Sequence, residues 1–133
     1  MADAAAENTA PLDAAPLDAA GLDAAPLDAE DAKLVTLARS GRPRALAASL
    51  PPEGAAVRDD TGRTYLAATV EKGPLVLPAL HLAVASALAS GARGFEAAAV
   101  VTDADEPAGI DVLEAAGVPK LIVAKPDGSV VRS

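Results

Sequence analysis

Apolar and polar positions follow two different rhythms along this chain. Up to residue 29, a leucine recurs every five residues, at Leu12, Leu17, Leu22 and Leu27, each followed by an aspartate. Ala10-Pro11-Leu12-Asp13-Ala14 recurs as Ala15-Pro16-Leu17-Asp18-Ala19. It then recurs with Gly21 in place of proline, and again as Ala25-Pro26-Leu27-Asp28-Ala29. A proline or glycine in every pentad forbids a continuous helix. One leucine per pentad cannot offset the ordering entropy of its neighbours, and so few pentads cannot stack into a solenoid. Residues 1–28 therefore read as a disordered acidic tail, and 29–133 as the folded domain. The functional alternative is a short linear motif that docks its leucines on a partner.

Beyond the tail the pattern becomes that of packed elements. Asp28-Ala29-Glu30-Asp31 is an acidic helix start. Leu34, Val35, Leu37 and Ala38 give the helix one apolar face, and Arg39 and Gly41 close it. The β-prone runs 54–58 and 63–70 flank Asp59-Asp60-Thr61-Gly62, which predicts an antiparallel hairpin. The apolar stretch 75–90 predicts a helix with Pro78 in its first turn. Its core stripe is Leu80, Ala83, Val84, Ala87 and Leu88. Leu82, Ala85 and Ala89 leave little polar face, so the helix should be covered on more than one side. A central strand at 96–101, a short helix at 110–116 before Gly117, a strand at 120–124 and a last short strand at 129–132 complete the order. Helices alternating with strands after a hairpin point to the α/β class, a three-layer α/β/α sandwich around a mixed sheet.

Composition narrows the chemistry. The 133 residues suit one domain. The net charge of -8 counts against nonspecific nucleic-acid binding. That charge belongs to residues 1–32, which carry 8 acidic and no basic side chains; the remainder balances 11 against 11. With only Tyr65 and Phe95 aromatic, a stacking platform for single strands is also missing. Cysteine is absent, which excludes disulfides, thiolate metal sites and thiol catalysis. His81 is the single histidine, so no multi-histidine metal site can form. Neither a secretory signal nor a membrane span is read, and a cytoplasmic protein is the expectation. Arg39, Arg42 and Arg44 compensate a helix dipole or form an anion-binding patch. Asp103-Ala104-Asp105-Glu106, at the C-terminal end of the central strand, is a solvated acidic loop or a weak divalent-cation site. It lacks the length, glycine spacing and final glutamate of a calcium loop.

The order of elements, with its residues, resembles the cytidine deaminase family. Gly54-Ala55-Ala56-Val57 followed by Asp60-Thr61-Gly62-Arg63-Thr64-Tyr65 is similar to the family's Val-Gly-Ala-Ala strand and Asp-Gly-Arg turn. Thr69-Val70-Glu71 falls where the family has Asn-Val-Glu, whose Asn and Glu hold the ribose. Residues 83–91 and 95–101 are similar to its helix ending in glycine and the strand after it. Pro107-Ala108-Gly109 with Val112-Leu113-Glu114 is similar to its Pro-Cys-Gly-x-Cys-Arg-Gln-Val-Leu segment, shortened by two residues. The resemblance implies ligand-binding roles for Thr69 and Glu71.

It also implies a zinc ion that lowers the pKa of bound water from about 15.7 towards about 7, and a glutamate that shuttles protons. Here the first ligand position is Pro78 and the glutamate position is Leu80. One later cysteine position is Ala108, and the other is lost or replaced near Asp111. No metal or other cofactor is therefore expected. The reading is a catalytically degenerate member acting as a binding or oligomeric interaction module. Homo-oligomerisation through the apolar helix 75–90 is expected, because family members pack as dimers or tetramers through their helices. A further protein partner stays open, and nucleic acid and membrane do not fit. The alternative is an active deaminase-type hydrolase with a relocated metal site among Asp103, Asp105, Glu106 and Asp111.

Overall fold

A computed structural model describes residues 27–133. The repeats and their leucines Leu12, Leu17 and Leu22 lie outside the described residues. Leu27 already packs on the core and Asp28 caps the first helix, so the folded unit's contacts begin with the last pentad.

Helix α1 (Ala29–Gly41) starts where the acidic signal places it, with the Asp28 carboxylate accepting the Asp31 N–H at 2.8 Å. One 3-10 turn, Arg42–Arg44, follows. Strands β1 (Gly54–Asp59) and β2 (Thr64–Ala68) form the expected hairpin. After β3 (Val70–Lys72) and β4 (Leu75–Leu77) come α2 (Ala79–Ala89), β5 (Phe95–Val101), α3 (Asp111–Ala116), β6 (Leu121–Ala124) and β7 (Val130–Arg132). The main sheet runs β2-β1-β5-β6-β7. Only β5 and β6, joined through α3, pair in parallel; the other neighbours are antiparallel.

Alternation along the strands feeds two cores. Ala56, Ala97, Ala99, Val101 and Ile122 face α1 and its Leu34, Val35 and Ala38. Ala55, Val57, Ala98, Val100 and Val123 face Leu80, Ala83, Val84 and Ala87 of α2 and Leu113 of α3. This is the predicted α/β/α sandwich with a mixed sheet. The alanine content explains how so few large side chains fill it: small strand residues let the helices approach closely. At Gly54 a methyl would stand 2.1 Å from the Ala38 carbonyl oxygen, so α1 rests directly on the β1 backbone.

The structure corrects the reading of 75–90. Residues 75–77 form β4, paired antiparallel with β3 in a small separate sheet, and the helix begins only after Pro78. The physical reason is local: a proline disfavours helical backbone in the residue before it, which keeps Leu77 extended. Leu88 is 51% exposed and is not a core residue, and Ala85 and Ala89 are exposed with it. Within one chain the helix is covered on one side only. Leu75 and Val76 are also exposed, at 53% and 55%. Among the described residues no helix is long and apolar enough to cross a membrane.

Candidate functional site

The positions singled out in the sequence converge at one end of the sheet, where β1 begins, β5 ends and α2 starts. Pro78 stands at the N-cap of α2 and makes no side-chain capping bond. The 107–111 segment presses against this first turn. Gly109 has φ +78, and a Cβ there would stand 2.9 Å from Pro78 Cβ and 2.6 Å from His81 Cδ2. Glycine supplies both the left-handed backbone and the missing side chain. Leu80 is fully buried between α2 and the sheet.

His81 and Asp111, thirty residues apart, meet across this junction with Nε2 to Oδ1 at 3.0 Å. The hydrogen bond to His81 holds the Asp111 carboxyl below its ordinary range. Ala108 offers only its backbone: its N–H donates to the Glu53 carboxylate at 3.2 Å to Oε1 and 3.3 Å to Oε2.

Glu53 is the residue that sequence reasoning missed. It is 0% exposed. Besides the Ala108 bond, Oε2 accepts the Thr102 hydroxyl at 2.6 Å, and the Thr102 oxygen accepts the Ala104 N–H at 3.0 Å. Burial raises the Glu53 carboxyl above its ordinary range, outweighing these two bonds and the charge of Arg42. The only signal in the sequence was its place, a lone acid between Pro51-Pro52 and an apolar strand.

Thr69 lies in the same cluster, fully buried. Its Oγ1 accepts the Glu53 N–H at 3.0 Å and donates to the Pro51 carbonyl at 3.1 Å. Glu71 lies farther out on β3. Its carboxylate accepts the N–H groups of Ala48 and Leu50, both at 2.7 Å, and the Ser49 hydroxyl at 2.9 Å. The Ala48 and Leu50 bonds lower its pKa. A ribose would have to compete with these internal partners at both positions.

The donor set does not fit the zinc ion that the resemblance implies. Pro78 and Ala108 carry no side-chain donor atom, and of His81 and Asp111, His81 Nε2 is engaged with Asp111 Oδ1. Among the described residues no group of three His, Cys, Asp or Glu could hold a metal.

The acidic run and the arginine cluster do not gather into sites either. Asp103 pairs with Arg42 at 2.8 Å and Glu106 with Arg132 at 3.1 Å. Arg39 donates to the Pro126 carbonyl and Arg42 also to that of Pro52.

Comparison with known proteins gives a consistent answer. Residues 27–128 match a family model described as cytidine deaminase-like. Among solved structures, the cytidine deaminase from Burkholderia pseudomallei is similar at 31% identity and a TM-score of 0.62, covering 74% of this chain and 87% of that one. The cytidine deaminase from Mycobacterium leprae is similar at 25% identity and a TM-score of 0.58, covering 78% and 95%. A search of the curated proteins finds no match.

Proposed function

This chain belongs to the cytidine deaminase-like family, and we propose that within it the protein is a non-catalytic binding or oligomeric interaction module. One observation carries the reading. The positions that would hold zinc and shuttle protons are Pro78, Ala108 and Leu80, and each is occupied by a side chain without a lone pair or a labile proton. Hydrolytic deamination needs an activated water and a proton shuttle at that point. Asp111, near the remaining position, is bonded to His81. Fold-level likeness survives such losses.

The test is direct. Purified protein incubated with zinc and cytidine should form no uridine above the buffer blank, and should retain no stoichiometric zinc after desalting. Turnover together with bound zinc would overturn the reading in favour of a deaminase with an unusual metal site.

The exposed apolar side chains Leu75, Val76 and Leu88 favour self-association as the form this module takes. Light scattering should report a dimer or tetramer, and Leu88→Asp should shift it towards monomer. A thermal-shift screen with nucleosides tests ligand binding through Thr69 and Glu71, since a ligand of the folded state must raise its stability. We propose the domain boundary at residue 28/29, with Leu27 and Asp28 of the last pentad in contact with the fold.

A further inference from the structure

We infer that this protein ties the 107–111 segment to β1 and α2 with a clasp of its own side chains, built from Glu53, His81 and Asp111, in place of a metal ion. The inference rests on the reading above that no zinc is bound here. A metal held by ligands from a helix start and from a loop cross-links the two, and its binding energy is folding energy. A chain without donors at those positions has to join the same two elements by other means.

Three separate contacts do so. The Glu53 carboxylate accepts the Ala108 N–H at 3.2 Å, which ties the loop to the start of β1. His81 Nε2 and Asp111 Oδ1 meet at 3.0 Å, which ties the start of α3 to α2. Pro78 and His81 close over Gly109, where no Cβ would fit. The segment has little regular structure of its own to hold it: α3 has six residues and no side-chain N-cap.

The choice of Glu53 is the most telling part. A buried carboxylate is costly unless its oxygens are hydrogen-bonded, and an apolar residue would suit the mouth of this apolar strand better. The oxygens are hydrogen-bonded by the Thr102 hydroxyl and the Ala108 N–H, with the Arg42 charge acting on them without a hydrogen bond. Thr69 fixes the Glu53 backbone from the other side, through Glu53 N to Thr69 Oγ1 at 3.0 Å and Thr69 N to Glu53 O at 3.0 Å. What this costly side chain contributes in return is a rigid acceptor aimed at the loop.

Amide hydrogen exchange on the full chain tests the clasp residue by residue. Glu53→Ala should speed exchange at Ala108 by at least about tenfold, with the Val100 and Val123 amides unchanged. Glu53→Gln keeps a carbonyl acceptor and should restore the slow rate. His81→Ala and Asp111→Ala should each speed exchange across 109–112 by about threefold. The double variant should be no faster than either single one, because both break one bond. Zinc chloride and the chelator dipicolinate should both leave all these rates unchanged.

Unaltered Ala108 exchange in Glu53→Ala, failure of Gln to rescue it, or slowing by zinc would each overturn the clasp. If Glu53→Ala does not fold, the His81/Asp111 cycle decides alone, and additive effects there count against it. Cytidine turnover would defeat the functional reading, whereas indifferent exchange rates in an inactive protein defeat only the clasp.

Discussion

Asp31 and Glu53 are both buried carboxylates, 1% and 0% exposed, at opposite ends of the sheet, and the protein treats them in opposite ways. Asp31, in the first turn of α1, receives Arg58 Nη2 at 3.0 Å and a bond from Lys120 Nζ. Arg58 in turn binds Glu96 at 2.7 Å. Burial would raise the Asp31 carboxyl, but the hydrogen bonds from Lys120 and Arg58 outweigh it and hold it below the ordinary range. Glu53 is bonded by neutral groups alone, and burial prevails. One end is thus a charge-compensated anchor between α1 and the sheet. The other, at the start of β1, holds a carboxyl poorly matched to its charged form. Burial alone does not set the sign of the shift; between these two fully buried groups, the charge of the donors does.

The largest effect should come from removing the anchor. Asp31→Ala leaves Arg58, 12% exposed at its side chain, with one carboxylate fewer. Its Nη1 is already buried without a partner, so the guanidinium has nothing in reserve. Breaking a buried pair in this way costs about 3 kcal/mol, read as a lowered midpoint in urea. A loss below about 1 kcal/mol, the range of surface pairs, would show that Asp31 is solvated like one.

The acid limb sharpens the contrast, because the two groups act with opposite signs. The folded pKa of Asp31 lies below its ordinary 3.8, so its stabilisation is present above that value and is lost as pH falls through the lowered one. The folded pKa of Glu53 lies above its ordinary 4.5, so the folded state gains stability as pH falls through the raised value, down to about 4.5. Glu53→Gln should abolish that gain. Its stability relative to the parent should be greater at pH 7 than at pH 5, by less than the Asp31→Ala loss. The amide can still accept from Ala108 through Oε1 and donate to the Thr102 oxygen, so the clasp geometry survives. An equal offset at both pH values would show that Glu53 is not the titrating group.

Much of the fold is legible in the sequence, because its determinants are local. The cap at Asp28, the turn around Asp60 and Gly62, the apolar run 97–101 of β5 and the glycine after α3 each declare themselves within a few residues. The proposed degenerate positions, Pro78 and Ala108 for zinc ligands and Leu80 for the glutamate, come from matching the order of elements to a family. What escapes is what depends on distance. Glu53 reads as a loop acid beside two prolines, and nothing local reveals that Thr102 and Ala108, about fifty residues on, close over it. The His81–Asp111 bond joins α2 to α3 and has no sequence signal at all. The β3–β4 hairpin is a different failure: Leu75-Val76-Leu77 runs unbroken into the helix, and strands of three residues show no alternation. The restriction that Pro78 places on Leu77 was the one available warning.

Glu71 provides the smallest expected effect and the cleanest control on the comparison. Like Glu53, it is bonded by neutral groups alone, two backbone N–H groups and a hydroxyl. Unlike Glu53, it keeps contact with solvent, and its pKa is lowered. The three carboxylates therefore separate donor charge from burial: cations plus burial lower Asp31, neutral donors without full burial lower Glu71, and neutral donors with full burial raise Glu53. Carboxyl carbon titration by NMR should place Glu53 alone above its ordinary range. Glu71→Gln should leave the urea midpoint nearly unchanged while the Ala48 and Leu50 amides exchange a few-fold faster, about what an exposed local bond yields. If Glu71 also titrates above the ordinary glutamate range, then neutral donors fail to stabilise a carboxylate even beside water. The raised Glu53 value would then have to be ascribed to its donors, and burial would lose its place in the comparison.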